Sequence, residues 1–247
     1  MKVKAVLAGF FVICGLLFFN KPVMAGYQLN KGQLEREISA AGLRLIGETD
    51  YYGVPCLEVE LPLDEAIFQI CRKVPTLNAF YLETREAIAI MNGLNPFYPR
   101  SQRGRQFDTV RKTILIPLDT TIQPKLFPSS NGNFASYAQA IFVDREKQAL
   151  AYYEHGQLVA CFPVSTGRSG KGTPAMQGWI KLKDEDHISS IYDVLMPFSL
   201  LLASPYFVHA GVMPGMPDSA GCIRMFTEHA RWLFDRIESR KTRFKVA

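Results

Sequence analysis

Residues Tyr206–Met225 read YFVHAGVMPGMPDSAGCIRM. The stretch carries one histidine and one cysteine, His209 and Cys222, thirteen positions apart in a chain rich here in glycine and proline. A thiol attacks as its thiolate, so a nucleophilic cysteine needs a neighbour that lowers its pKa or takes its proton. An imidazole within hydrogen-bond reach serves both needs. Gly211, Gly215 and Gly221 permit the tight turns such a loop requires. Ile223 begins a short apolar step, so backbone N–H groups near Gly221 and Cys222 are candidates to face a developing oxyanion. On residue types alone, a cysteine and a histidine in one loop are more often structural than catalytic.

Outward from this loop the pattern is mainly β. Ala140–Val143, Ala149–Tyr153 and Leu158–Val164 are β-rich runs, with Glu154–Gln157 read as a hairpin turn between the last two. Gly178–Leu182 reads as a further strand, Cys161 as a buried strand residue, and Arg243–Val246 as a closing strand. Ala230, Leu233, Phe234 and Ile237 have helical spacing, and Thr227 is placed to cap that helix. Strands at this spacing predict a β-sandwich or barrel with a C-terminal helix over 135–247.

With these neighbours in view, the loop resembles the signature of the L,D-transpeptidase catalytic domain, also called the YkuD domain. Val208–Gly211 supplies its first part and Ser219–Arg224 its second. Ile141–Asp144 with Gln148–Leu150, Phe162–Gly167 with Thr173–Pro174, and Ile191–Tyr192 with Met196–Pro197 extend the resemblance back to about Tyr137. It implies a peptidoglycan L,D-transpeptidase working through a thioester, with stem peptides as partners and no metal or organic cofactor. Carried over residue by residue, Cys222 is the nucleophile and His209 its base. Ala210 offers the carbonyl that orients the imidazole, and Ser219 and Gly221 shape the turn and oxyanion site. Arg224 holds a substrate carboxylate or pairs within the fold. Tyr192 lies at the substrate entrance or packs in the core. His187 and His229 match no role and read as surface histidines. Two departures stand out. Ala220 occupies a position where the family usually has histidine, and Thr173–Gly178 is looser than the family's Thr-Pro-x-Gly turn. The alternatives are an L,D-carboxypeptidase or wall-protein-releasing hydrolase of the same fold, and an inactive peptidoglycan-binding protein.

Further out, Pro124–Asn133 (PKLFPSSNGN) reads as a linker. Before it, residues 26–128 read as a small α/β domain. Leu34, Ile38 and Ala41 mark a helix, Leu57–Leu61 alternates like a half-buried strand, Thr84–Met91 is a helix ended by Asn92–Gly93, and Thr113–Leu118 is a short strand. Residues 74–119 resemble a LysM peptidoglycan-binding module through Ile90–Pro96 and Ile114–Pro117, with a longer basic insert after Gly104. The other reading is an appendage that only packs on the catalytic domain.

The N-terminus reads as an address. Lys2 and Lys4 precede an unbroken apolar run over Ala5–Phe19, and Val23–Ala25 fits a cleavage site, giving a signal peptide over 1–25. That run is short of the roughly 20 residues a membrane span needs. An uncleaved anchor is the other reading. Cleavage predicts an exported protein of the periplasm or cell envelope, with no membrane span afterwards. The chain carries +5 overall, but three lysines and no acid lie in this segment, leaving 25 bases against 23 acids. So weak a balance excludes nucleic acid as the expected partner. Cys56 and Cys71 are either a disulfide, which an exporting compartment permits, or two buried thiols.

Overall fold

A computed structural model of the chain describes residues 27–97 and 112–247. The signal-peptide expectation and the insert over 98–111 lie outside the described residues.

The N-terminal unit opens with α1 (Lys31–Ala40), whose Leu34 and Ile38 are buried one turn apart. Asn30 caps it by accepting the Gln33 N–H at 2.9 Å. Strands β1 (Leu45–Tyr51) and β2 (Val54–Glu60) form a hairpin. Leu57 and Val59 face a core, while Glu58 and Glu60 lie half-buried on the other face, as the alternation predicts. Three helices follow, α2 (Ile67–Lys73), α3 (Pro75–Ala79) and α4 (Tyr81–Met91). Pro75 at the first turn of α3 breaks it from α2. Strand β3 (Thr113–Pro117) then pairs antiparallel with β2. Leu34, Leu57, Ile70, Ile88 and Ile116 belong to one core on this side of the chain.

The second unit begins with β4 (Gln139–Asp144), β5 (Ala149–Glu154) and β6 (Gln157–Pro163). After these come β7 (Met176–Trp179), β8 (Leu182–Ile188), β9 (Leu195–Ala203), β10 (Tyr206–Ala210) and β11 (Ile223–Met225). The chain closes with α5 (Thr227–Arg236) and β12 (Arg243–Val246). One sheet runs β6-β5-β4-β12-β7 and the other β11-β10-β9-β8. Ile141, Tyr152, Phe162, Leu200, Val208, Ile223, Leu233 and Phe244 share a second core. The fold is therefore mainly β, a two-sheet sandwich with a helix before its last strand, preceded by an α/β region.

Four expectations need correction. The Gly178–Leu182 strand is broken, because Ile180 is buried and hands the chain between sheets. Its N–H donates to Thr242, while the Lys181 N–H donates to Leu201 on β9. Thr227 does not cap α5, since Phe226 holds the cap position and makes no side-chain capping bond. His229 is 3% exposed, not a surface residue. It lies on the helix face that carries Ala230 and Leu233, its ring 4.9 Å from Phe162 and 5.5 Å from Phe226. Finally, the 124–133 seam does not hang free. Phe127 and the adjoining Phe134 are buried against Ala140, Tyr153 and Cys161, and Asn131 N–H donates to Gly156 at 2.7 Å.

Cys71 and Cys161 are buried free thiols and Cys56 is buried, so a Cys56–Cys71 disulfide is not what the fold adopts. Burial pushes Cys71 and Cys161 up to about 12, which keeps both as unreactive thiols. Among the described residues, no helix is long and apolar enough to cross a membrane.

Candidate functional site

Strands β10 and β11 are parallel neighbours, with Val208 opposite Ile223, His209 opposite Arg224 and Ala210 opposite Met225. Successive residues of a strand point to opposite faces. Val208, Ala210, Ile223 and Met225 all enter the sandwich core. The sheet therefore turns His209 and Arg224 to its outer face. Cys222 stands one position before β11 and continues the Arg224 face. The pairing of four core residues thus sends the nucleophile and base candidates to one side.

The turn leading into Cys222 is built from its own polar groups. Gly221 N–H donates to Ser219 Oγ at 3.0 Å, and Ser219 Oγ donates to the Cys222 carbonyl. Ser219 and Gly221 do shape the turn, and the Gly221 N–H is committed within it. Gly221 has φ +127°, and a Cβ there would lie 2.9 Å from the Tyr206 ring, so this position accepts glycine alone. The 166–173 loop clamps the turn from outside. Thr166 O accepts from the N–H groups of Asp218 and Ser219, both at 3.0 Å. Thr173 Oγ1 accepts from Gly167 N–H at 2.9 Å and donates to the Gly221 carbonyl at 2.7 Å. Despite its looser sequence, the turn at Thr173 is tied directly to the cysteine loop.

His209 is 7% exposed, and its Nδ1 donates to the Ala210 carbonyl at 2.7 Å. That bond fixes the tautomer and leaves Nε2 as the basic nitrogen. Burial lowers the His209 pKa to about 4, helped by the charge of Arg224 and by His187. Burial raises the Cys222 thiol, opposed by the Phe207 backbone N–H and by Arg224. The resting pair is therefore a neutral thiol and a neutral imidazole, which suits proton transfer during attack rather than a preformed ion pair.

Arg224 pairs with Asp218 at 3.2 Å, both partly exposed, so in the fold it takes the pairing role. Tyr192 is half exposed in the β8–β9 connection, with Lys171 Nζ 5.6 Å above its ring. It sits at the surface rather than in the core. Ala220 is half-buried beside the motif cysteine and offers only a methyl group. Two participants lacked a sequence signal. His187 stacks on Phe207, ring centroids 4.6 Å apart, and its Nδ1 meets Asp184 at 2.9 Å. It comes from β8, two strands away from β10 in the sheet, which spacing does not reveal. Arg168 donates from its backbone to Ser219 O at 3.0 Å and from its guanidinium to the Asp218 carbonyl at 3.3 Å. Among the described residues, no group of three or more His, Cys, Asp or Glu side chains is placed to hold a metal ion.

The buried imidazoles carry a stability consequence. His209 and His229 both fall to about 4 from an ordinary 6.5. Between those values the unfolded chain binds protons that the fold does not, so stability is full above about pH 6.5 and is lost as pH falls toward 4. Thermal unfolding should show its midpoint dropping steadily from pH 6.5 to 4.5. His229→Leu should remove about half of that slope, and a flat profile in the parent protein would contradict the burial of both rings.

In comparisons with known proteins, no curated protein matches the chain. Solved structures do match. An L,D-transpeptidase from Stackebrandtia nassauensis is 21% identical, over 45% of this chain and 56% of that one, with a TM-score of 0.43. L,D-transpeptidase 1 of Mycobacterium tuberculosis is 20% identical, over 44% of this chain and 61% of that one, at TM-score 0.39. An L,D-transpeptidase from Xylanimonas cellulosilytica is 22% identical, over 65% of this chain and 77% of that one, at TM-score 0.43. The chain thus spans less than two thirds of the length of the first two. A family model, the L,D-transpeptidase catalytic domain, matches residues 138–246, from β4 through β12. That match covers both sheets and the His209–Cys222 loop, and residues 138–246 of this chain are a YkuD domain.

Proposed function

We propose that the protein is an L,D-transpeptidase that acylates Cys222 on peptidoglycan stem peptides. The observation that carries this reading is the β10–β11 register, with His209 and Cys222 on one outer face and His209 Nδ1 held by Ala210 O. In the first half-reaction, His209 Nε2 takes the thiol proton as Sγ attacks the amide carbonyl between the diamino acid at stem position three and the terminal D-Ala. The tetrahedral intermediate collapses, the C–N bond breaks, and His209 returns the proton to the departing amine of D-Ala. A thioester remains on Cys222. In the second half, the side-chain amine of another stem attacks the thioester, His209 takes its proton, and the thiol leaves with that proton restored. The product is a 3→3 crosslink. Water in place of the amine gives an L,D-carboxypeptidase.

The same reading extends to the rest of the chain. Residues 1–25 address it to the periplasm or cell envelope, 26–128 form an α/β unit that is LysM-like at about 74–119, and 135–247 form the catalytic unit. The test is incubation of the purified protein with tetrapeptide-bearing muropeptides, followed by mass spectrometry. Free D-Ala together with crosslinked dimers is the expected result. D-Ala with tripeptide monomers alone would move the assignment to a carboxypeptidase, and no release of D-Ala would overturn it.

A further inference from the structure

The N-terminal unit touches the cysteine loop at a defined place. The turn that follows α4 is rigid. Asn92, 6% exposed, donates from Nδ2 to Ile88 O at 2.7 Å and to Leu115 O at 2.8 Å, and accepts the Leu115 N–H at 2.8 Å. Pro96 O accepts from Phe68 N–H at 3.0 Å, and Leu94, 2% exposed, belongs to the N-terminal core. The turn is therefore tied to α4, β3 and α2 at once.

This turn meets residues 213–215, midway between His209 and Cys222. Asn95 N–H donates to Met213 O at 2.8 Å, and Leu94 forms an antiparallel bridge with Pro214. Gly215 has φ +78°, and a Cβ there would stand 3.1 Å from Asn92 O and 3.3 Å from Leu94 Cβ. An added Cβ here would be crowded between the two backbones and strained at that φ, so glycine suits the position best. From the other side, Ser165 Oγ donates to Met216 O at 2.7 Å, and Thr166 O takes two N–H groups just beyond. The loop from Gly211 to Asp218 is thus gripped by the N-terminal unit at 213–215 and by the sandwich at 216–219.

We infer that the N-terminal unit is a built-in brace for the acyl-transfer site. Its Asn92–Asn95 turn holds the 211–218 loop, and through it the relative placement of His209 and Cys222. Asn92 and Asn95 are on this account positioning residues that touch no substrate. The inference rests on the acyl-transfer reading for its catalytic consequence, but the grip itself does not depend on that reading. Small misplacements of reacting groups cost far more in turnover than in binding, so loosening the brace should lower kcat and spare KM.

The experiment uses the full chain with three substitutions. Gly215→Ala crowds the two backbones at this contact and removes no hydrogen-bonding group from the N-terminal unit. Asn95→Pro removes the N–H that Met213 accepts. Gly42→Ala is the control, a glycine in the same unit with a similar φ of +73° and nothing within 4 Å of an added Cβ. Amide exchange of peptides covering 211–218, alkylation of Cys222 by iodoacetamide, and kcat and KM for D-Ala release are read in parallel. Both brace variants should speed exchange over 211–218, slow Cys222 alkylation about threefold, and lower kcat about tenfold with KM within about twofold. Gly42→Ala should match the parent in all of these. Parent-like exchange and alkylation in both Gly215→Ala and Asn95→Pro would overturn the brace, as would equal effects from Gly42→Ala. A parent protein that is alkylated at Cys222 yet releases no D-Ala fails the acyl-transfer reading instead, and exchange and alkylation then decide the brace.

Discussion

Cys222→Ala should lose D-Ala release from tetrapeptide muropeptides to the detection limit, a fall of at least about a thousandfold, with the melting temperature within a few degrees of the parent. The thiol is half-buried, approaches Pro205 O at 3.9 Å and meets the Phe207 backbone N–H, so its removal gives up only weak sulfur contacts to backbone groups. The turn around it is carried by Ser219, Gly221 and Thr173 and survives the change. Muropeptide turnover read against a thermal melt checks both halves. Residual turnover within tenfold of the parent would mean that another group performs the attack.

The second large effect belongs to His209. With Nδ1 bound to Ala210 O, only Nε2 can move the proton. His209→Gln keeps a polar side chain of similar length but removes the base, and should lower kcat by about a thousandfold. The pH profile separates this role from simple support. Because burial holds His209 at about 4, the base is neutral and competent above that value and is lost only as pH falls through it. The parent kcat/KM should therefore stay level from about pH 5 to 8. An acid limb near 6.5 would contradict a buried, neutral His209.

Local pattern carried most of the fold. The hairpins of β4, β5 and β6 form and turn where the sequence indicates, because each is closed by residues near in the chain. The pairing of β12 between β4 and β7 is different. It joins residues 103 positions apart on the β4 side and 64 to 70 apart on the β7 side, and nothing local encodes that choice. The same limit hides His187, which meets Phe207 across the intervening strand β9 rather than through spacing. The burial of His229 is invisible to a helical period carried by apolar residues. A neutral histidine sits on the apolar face as comfortably as its neighbours Phe162 and Phe226 permit. The seam at 124–133 reads as a linker from its prolines, serines and asparagines, yet Phe127 draws it onto the sheet.

The site was legible because its chemistry is concentrated in one loop. His209, Ala210, Ser219, Gly221, Cys222 and Arg224 all lie within sixteen residues on two adjacent strands and the turn between them. Its supports are dispersed. Thr173 enters from the 166–173 loop and Asn92 from a separate core. Arg224, read as either substrate contact or ion pair, spends its charge on Asp218.

The full chain is incubated with a carbapenem and its intact mass recorded, beside Cys222→Ala treated in the same way. A strained acyl donor of that kind reports on a nucleophilic thiol without depending on which stem or acceptor the enzyme uses. The account predicts a single covalent adduct of the carbapenem's mass on the parent, mapped to the Cys222 peptide, and none on Cys222→Ala. An unmodified parent, or an adduct that persists in Cys222→Ala, would contradict it.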